Sequence, residues 1–359
     1  MSRLATSLAL TLSLSACASP PPREAGAPVS SAPAPPPPPV NAPPFARATA
    51  AEAGLDPAAL EAFRRRGEET RSDALILLRD GKLVLDERYG HDEGRIETMS
   101  VSKSIVALVI GRLVDTGRLA SIDEPVSRFY PEWQAGKKGL VTVRHLLEQT
   151  SGIKSNPTTE EIYASPDFVR LALEADLVSE PGATFFYNNK AVNLLAGIAQ
   201  IASGRRLDTL AREELFDPLG IDDVEWVLDK SGNPHAMSGI RLHPLDLAKL
   251  GQMMLDGGRW KGRPIVSEAW IRQMTSPSPK NDRYGLLTWL DYPHGGPTNE
   301  RRPFAFRMDG WLGQYVVVVP ARRLVAVRMR RNRDGEGAKE EYGFRDFVKS
   351  VSALARGGS

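Results

Sequence analysis

Apolar residues recur with different periods in different parts of this 359-residue chain. Asp56 and Pro57 precede apolar residues at helical spacing, which predicts a helix with Asp56 as its N-cap. The stretch ALILLRDGKLVLDERYG then predicts two strands joined by Asp80-Gly81, because Asp-Gly between two apolar runs is typical of a tight hairpin. The first folded elements are therefore a helix and a β-hairpin.

From residue 100 a 3.6-residue period predicts a helix that is apolar nearly all round and therefore buried. Further helices are predicted at about 142–149, 167–175, 189–203 and 207–215, in HPLDLAKLGQMMLDGG and SEAWIRQMTS, and around 344–354. Strands are predicted in YGLLTWL, GQYVVVVP and RLVAVRMRR. We therefore expect an α/β fold, in which one antiparallel sheet is built from both chain ends and flanked by helices. An all-α lobe at about 131–240 is inserted in it, and the cleft between sheet and lobe is the expected place for a site.

The N-terminal segment differs in kind from the predicted domain at 45–359. MSRLATSLALTLSLSAC has one arginine and then an apolar run too short to span a bilayer as a mature helix, which predicts a signal peptide over 1–16. Cys17, the only cysteine of the chain, follows that run, and a buried free thiol is the alternative reading. The segment resembles the bacterial lipoprotein box, which implies lipidation of Cys17 and attachment to a membrane through the N-terminal lipid. Ala18 in place of Asp then implies the outer membrane, on its periplasmic side.

Residues 19–44 contain 12 prolines among alanine and serine. This composition cannot bury a core and favours an extended conformation. Residues 17–44 are therefore predicted to be a lipidated cysteine followed by a tether.

Composition narrows the possible partners. Lys plus Arg number 46 against 44 Asp plus Glu, so the formal charge of +2 gives no support for a nucleic-acid partner. The chain lacks the motifs Gly-x-Ser-x-Gly, His-Glu-x-x-His, Gly-x-x-x-x-Gly-Lys-Ser/Thr and Gly-x-Gly-x-x-Gly. The sequence therefore predicts no metal site and no cofactor.

The sequence ETMSVSKSIVAL places Ser100 and Lys103 three residues apart at the start of the buried helix. Residues at i and i+3 are neighbours on one helix face, so the amine can reach the hydroxyl. A lysine can accept the serine proton if burial lowers its pKa, and activity should then rise through the pKa of a lysine or tyrosine lowered by its site. The alternative is a capping serine beside a lysine that extends to solvent.

Two further segments carry candidate chemistry. Tyr187-Asn188-Asn189 stands before an apolar helix, and its alternative reading is Asn189 as N-cap with Tyr187 packed beneath it. In RMDGWLGQYVVVVP, Gly310 and Gly313 bracket a turn into a strand, where free backbone N–H groups could bind an oxyanion. The alternative is an ordinary glycine turn.

In this order, the three segments resemble the serine β-lactamase and penicillin-binding-protein superfamily, nearest its class C-like esterase and amide hydrolase branch. The resemblance implies a nucleophilic Ser100, Lys103 as proton acceptor, and Tyr187 as the group that passes the proton to the leaving group. It also implies that Asn189 contacts the substrate or orients Lys103. The oxyanion would be bound by the N–H groups of Ser100 and of Trp311 in the Gly310 turn, and the substrate would be a small-molecule or peptide ester or amide.

One departure from the family pattern affects the substrate. Where the lactamase branch has Lys-Thr-Gly, this chain has Met308-Asp309-Gly310, so the expected lysine for a substrate carboxylate is missing and Asp309 would repel that carboxylate. Arg307 could compensate only if it faces the cleft. The sequence therefore predicts a lipid-anchored envelope serine hydrolase, an esterase or amidase. A β-lactamase or D-alanyl-D-alanine peptidase and a silent binding protein on the same fold remain alternatives.

Overall fold

A computed structural model describes residues 43–90, 94–292, 303–333 and 343–354. The predicted signal peptide, Cys17 and the tether up to residue 42 lie outside the described residues. The first described residues already pack on the domain: the buried Phe45 ring contacts Trp260 edge-on, with ring centroids 5.6 Å apart.

One six-stranded antiparallel sheet organises the molecule, in the order β2-β1-β11-β10-β9-β8. Its strands are β1 Ala74–Arg79, β2 Lys82–Arg88, β8 Trp289–Asp291, β9 Ala305–Gly310, β10 Gln314–Val319 and β11 Leu324–Met329. Strand β1 pairs with β11, so two strands from the N-terminal part of the chain join four strands from its C-terminal part. This confirms the predicted sheet and the hairpin at Asp80-Gly81.

The remaining strands are short. They are β3 Ile96–Glu97, β4 Glu225–Trp226, β5 Ile240–Leu242, β6 Arg259–Trp260 and β7 Arg263–Pro264. They form a three-stranded sheet in the order β3-β5-β4 and the two-stranded pair β6-β7.

Helices cover both faces of the large sheet. The helices outside residues 131–240 are α1 Pro57–Glu69, α2 Val101–Asp115, α10 Pro244–Leu255, α11 Glu268–Met274 and α12 Phe344–Leu354. Helices α1 and α12 share a core with one face, whereas α2 and α10 pack on the other. Asp56 caps α1 as predicted, since its side chain accepts the N–H groups of Ala58 and Ala59. Helix α2 is buried nearly all round, also as predicted.

Between residues 131 and 240, the longer elements are helical. They are α3 Val143–Leu147, α4 Glu160–Ala164, α5 Phe168–Glu174, α6 Asn189–Val192, α7 Leu194–Ser203, α8 Leu207–Ala211 and α9 Asp217–Leu219. The helix predicted at 189–203 is interrupted at Asn193, and a wider π-type turn at Arg212–Phe216 follows α8. Within the described ranges, no helix is both long and apolar enough to cross a membrane.

The strand predicted in YGLLTWL is wrong over most of its length. Only its end, from Trp289, joins the sheet, and Leu287 has a positive φ of 49°. The preceding residues form a turn, in which the Gly285 N–H donates to the Thr288 carbonyl at 2.8 Å. A Cβ on Gly285 would lie 2.0 Å from the Met274 carbonyl, so tight packing on α11 replaces sheet pairing here.

Candidate active site

Ser100 and Lys103 are in direct contact at the start of α2. The Lys103 Nζ lies 2.9 Å from the Ser100 Oγ, and the lysine is only 1% exposed. The Ser100 side chain makes no capping bond to the helix backbone. The pair is therefore neither a capping serine nor a lysine that extends to solvent.

Burial changes the protonation of Lys103. Desolvation lowers the pKa of the Lys103 amine from 10.5 to about 7, and no other described residue forms an ion pair with it. Its second contact is neutral, because the Nζ donates to the Met237 carbonyl oxygen at 2.7 Å. At and above neutral pH the amine therefore has a lone pair with which it can accept a proton.

The Tyr187 side chain completes the cluster. Its hydroxyl is hydrogen-bonded to Ser100, and its ring centroid lies 5.0 Å from the Lys103 Nζ. Burial raises the pKa of the Tyr187 phenol, and the negative charge of Asp309 adds to that effect. A tyrosine with a lowered pKa, one of the two possibilities from sequence, is therefore wrong. This hydroxyl stays protonated and can act as a donor.

Gln149 and Asn188 hold the segment that carries Tyr187. The Phe186 N–H donates to the Gln149 carbonyl at 2.8 Å, and the Asn188 N–H donates to the Gln149 side chain. The Asn188 side chain accepts the Ala191 N–H at 2.9 Å and caps α6. Asn188 is therefore the N-cap, and the alternative reading that assigned this role to Asn189 is wrong.

Gly310 brings the third segment against the nucleophile. A Cβ at this position would lie 2.6 Å from the Thr98 carbonyl oxygen and 3.1 Å from the Met99 Cβ, in the turn before Ser100. Met99 itself has a positive φ of 50°. Only glycine lets the end of β9 approach this turn so closely, and Ser100 and Trp311 consequently line the same cleft.

The N–H groups of Ser100 and Trp311 are available there. In the described part of the chain neither one donates to a backbone carbonyl outside the helices and strands. Trp311 is the first residue of a short 3₁₀ turn, Trp311–Gly313, where an N–H has no partner within the helix. The two groups can therefore serve as oxyanion donors.

Met308, Asp309 and Arg307 differ in their surroundings. Met308 is buried in the core, whereas Asp309 lines the cleft. The buried Arg307 donates through its Nε to Asp309 at 2.9 Å and through its Nη1 to Asp291. Arg307 does not line the cleft, so it does not replace the missing lysine.

The cleft has a volume of about 800 Å³ and is acidic and aromatic. Its ionisable lining residues are Glu97, Glu160, Asp309 and the tyrosines Tyr163 and Tyr187, with no Arg, Lys or His among the described residues that line it. Asn189, Trp289 and Trp311 also line it, and Trp311 is 48% exposed. Residues 157–160 and Tyr163 line another part of it.

Several contributing residues escaped sequence reasoning. Trp289 is one of them, since it stacks on the Tyr187 ring with centroids 6.0 Å apart and lines the cleft. The Lys103 amine donates to the Met237 carbonyl, and within the described residues it has no hydrogen bond to Asn189. A backbone carbonyl leaves no signal in a sequence. Gln149 is different, because it closely follows the apolar pair Leu146-Leu147 in the sequence. An amide that is buried in such a place needs hydrogen-bond partners.

Within the residues that the structure describes, no group of three or more His, Cys, Asp or Glu side chains could hold a metal ion.

A sheet built from both chain ends, with the helix that begins at Ser100 packed on it, is the fold of β-lactamases and transpeptidases. The family model described as Beta-lactamase matches residues 58–346, and the chain belongs to this family of serine hydrolases. The resemblance seen in the sequence is thereby confirmed.

Individual relatives agree with this placement. The chain is 30% identical to the 6-aminohexanoate-dimer hydrolase of Paenarthrobacter ureafaciens over 59% of each protein, so it spans less than two thirds of that relative. A penicillin-binding-protein homologue from Caulobacter crescentus superposes with a TM-score of 0.64 at 20% identity, covering 84% of this chain and 98% of that one. EstCE1, a hydrolase with promiscuous acyltransferase activity, gives a TM-score of 0.66 at 17% identity, covering 82% and 97%.

Proposed function

We propose that this protein is a serine hydrolase of the cell envelope that cleaves esters or amides through an acyl-enzyme on Ser100. The observation that carries the proposal is the 2.9 Å contact between the Ser100 hydroxyl and the Lys103 amine. This amine is buried, and no carboxylate of the described residues forms an ion pair with it. A serine beside a base that is neutral near pH 7 is an activated nucleophile.

The acylation step follows from these contacts. The Lys103 amine takes the Ser100 proton while the Oγ attacks the acyl carbon, and the carbonyl oxygen becomes an oxyanion held by the N–H groups of Ser100 and Trp311. The bond to the leaving oxygen or nitrogen then breaks, and the leaving group takes a proton from the Tyr187 hydroxyl. The Lys103 ammonium returns a proton to Tyr187, which leaves an ester on Ser100 and a neutral amine.

Deacylation repeats the sequence with water as the nucleophile. The neutral Lys103 amine accepts a proton from water as the water oxygen attacks the Ser100 ester. The bond to Oγ breaks, the proton returns to Ser100, and the acid is released. No cofactor enters either step.

The charge of the cleft favours simple esters or amides over β-lactams. Three carboxylates line it, Met308 stands in the place of the family's lysine, and Arg307 is bound by Asp291 and Asp309. A β-lactam carboxylate would meet like charge without a paired cation. A cell-wall or β-lactamase function remains the second candidate, because the proline-rich tether and lipoprotein-like Cys17 suit an envelope enzyme.

The named relatives lend support to the reaction class. One is called a 6-aminohexanoate-dimer hydrolase, and another is described as a hydrolase with promiscuous acyltransferase activity. For location, we propose processing after residue 16, lipidation of Cys17 and tethering at the outer membrane, facing the periplasm. Metabolic labelling with a palmitate analogue should mark the wild type, and a label that persists in Cys17→Ala would contradict this location.

Intact-protein mass spectrometry tests the reaction. The purified chain is mixed briefly with p-nitrophenyl acetate and, separately, with a penicillin, beside the Ser100→Ala variant. We expect an acetyl adduct that is absent from Ser100→Ala, and little penicillin adduct. A penicillin adduct of equal yield would favour the cell-wall function, and no adduct with no released product would favour a silent binding protein.

A further inference from the structure

The buried Asn193 amide connects the two segments that flank Lys103. Its Oδ1 accepts the N–H groups of Ala236 and Met237 at 3.1 and 3.3 Å. Its Nδ2 donates to the Asn189 carbonyl at 3.2 Å. One side chain therefore joins the start of α6, which follows Tyr187, to the irregular segment that supplies the Met237 carbonyl.

The Met237 carbonyl matters because of the geometry of a neutral amine. Such an amine has two N–H bonds and one lone pair in a tetrahedral arrangement, and it can rotate about its Cε–Nζ bond. Donation to the Met237 oxygen at 2.7 Å limits that rotation. With one N–H fixed on Met237, the lone pair can be directed at the Ser100 hydroxyl 2.9 Å away.

The structure gives Asn193 no other evident task. It precedes α7 in the N-cap position but makes no side-chain capping bond, and it is 1% exposed. Its polar atoms are directed instead to the Ala236-Met237 backbone and to Asn189. A buried amide in an apolar run is costly unless its polar atoms are hydrogen-bonded. All the bonds of the Asn193 side chain go to backbone groups outside α7, so they do not stabilise that helix.

We propose that Asn193 is a positioning residue for the hydrolysis: it fixes the Met237 carbonyl, which in turn directs the Lys103 lone pair at Ser100. The inference rests on the proposed function. The titratable residues that line the cleft are Tyr187, whose ring centroid lies 5.0 Å from the Lys103 amine, and Tyr163, Glu97, Glu160 and Asp309, and none of them forms an ion pair with the amine. The orientation of Lys103 therefore depends on neutral contacts.

Two variants of Asn193 separate positioning from mere stability. Asn193→Leu is similar in size but removes both accepted bonds, so kcat should fall by about tenfold to a hundredfold with KM changed less than threefold. Asn193→Asp loses the bond that Nδ2 donates to the Asn189 carbonyl but keeps both bonds accepted from the Ala236 and Met237 N–H groups, so its kcat at high pH should stay within about threefold of the wild type. Its added negative charge should move the alkaline-rising limb of kcat/KM to higher pH.

Trp133→Phe is the matched control. Trp133 is also buried, and its replacement by Phe removes both part of the ring and the hydrogen bond to the Leu173 carbonyl. The change therefore lowers stability at a side chain that, among the described residues, has no hydrogen bond to the 236–237 segment. Its kcat and pH limb should equal those of the wild type, measured on the folded fraction.

Steady-state rates from pH 5.5 to 10 with a p-nitrophenyl ester, together with thermal unfolding, give the answer. We expect kcat to be reduced in Asn193→Leu and to be recovered in Asn193→Asp. In Asn193→Asp the alkaline-rising part of the kcat/KM profile should lie at higher pH. Wild-type kcat and an unmoved limb in both variants would overturn the positioning role while leaving the hydrolase intact. A wild type that forms no Ser100 adduct would instead overturn the proposed function itself.

Discussion

Lys103 on α2 and Arg328 on β11 are both buried cations, each 1% exposed, yet their surroundings differ. The Arg328 guanidinium donates to the carbonyls of Thr70, Leu312 and Gly313 at 2.8–2.9 Å and to the Ser72 hydroxyl at 2.8 Å. Lys103 has only one carbonyl and one hydroxyl, and its pKa falls to about 7.

The difference separates two uses of a buried charge. Arginine remains protonated and its fork of donors satisfies several carbonyls at once, so Arg328 serves the fold. Lysine can lose its proton when it is desolvated. Burial of Lys103 therefore lowers the stability of the folded protein but supplies a base. The two regions meet in the active site, because Arg328 holds the turn that follows Trp311.

Removing the Lys103 amine should have the largest effect on activity. Lys103→Met is expected to lower kcat/KM by about a thousandfold or more, since Ser100 loses its proton acceptor. The same change should raise the melting temperature at pH 7. Keeping this amine neutral costs on the order of 4 kcal/mol, against about 1–3 kcal/mol for the unpaired Met237 carbonyl. A variant that melts below the wild type would contradict this assessment of Lys103.

Removing the Arg328 guanidinium should act in the opposite direction on stability. Arg328→Met leaves three buried carbonyls without this donor, and we expect a loss of about 3 kcal/mol or more in the free energy of unfolding. Chemical denaturation measures it. An unchanged midpoint would show that these contacts do not hold the Trp311 turn, and the contrast with Lys103 would fail.

Gly310→Ala tests the contact between the two regions. Its methyl group would meet the Thr98 carbonyl at 2.6 Å and push the Trp311 turn away from Ser100. We expect kcat to fall by about tenfold or more in folded protein, because an oxyanion donor moves.

Gly343→Ala is the matched control for that change. Nothing lies within 4 Å of the Cβ that it adds, so it should leave kcat unchanged. Equal rates in the two alanine variants would contradict the role of Gly310.

The most gradual expected effect is the pH dependence of stability. Because the pKa of Lys103 is lowered from 10.5 to about 7, the unfolded chain binds a proton between these values that the folded chain does not. Stability therefore gains up to about 1.4 kcal/mol per pH unit as pH rises through this window. The deficit of the wild type relative to Lys103→Met should shrink between pH 7 and 10, and a constant difference would contradict the lowered pKa.

Sequence patterns predicted the parts of the molecule with strong local signals. The buried period of α2, the Asp80-Gly81 hairpin and the apolar strands β10 and β11 all carry such signals, and their order was enough to predict the sheet. The spacing of Ser100 and Lys103 predicted their contact for the same reason.

Contacts between distant segments were beyond reach of the sequence. The meeting of Met237 with Lys103 spans 134 residues, and the position of Trp289 depends on a turn packed against α11. The choice of Asn188 over Asn189 as cap depended on bonds to Gln149 and Ile153. Such outcomes are set by tertiary packing, which local propensity does not contain.

The rate at which an ester acylates Ser100, followed by intact mass in a single turnover from pH 5 to 9, tests the central claim most directly. We predict an adduct that is absent from Ser100→Ala and whose rate of formation rises tenfold per pH unit below about 7 and levels off above it. An adduct that persists in Ser100→Ala, or an acylation rate that does not change with pH, would contradict a serine activated by a neutral Lys103.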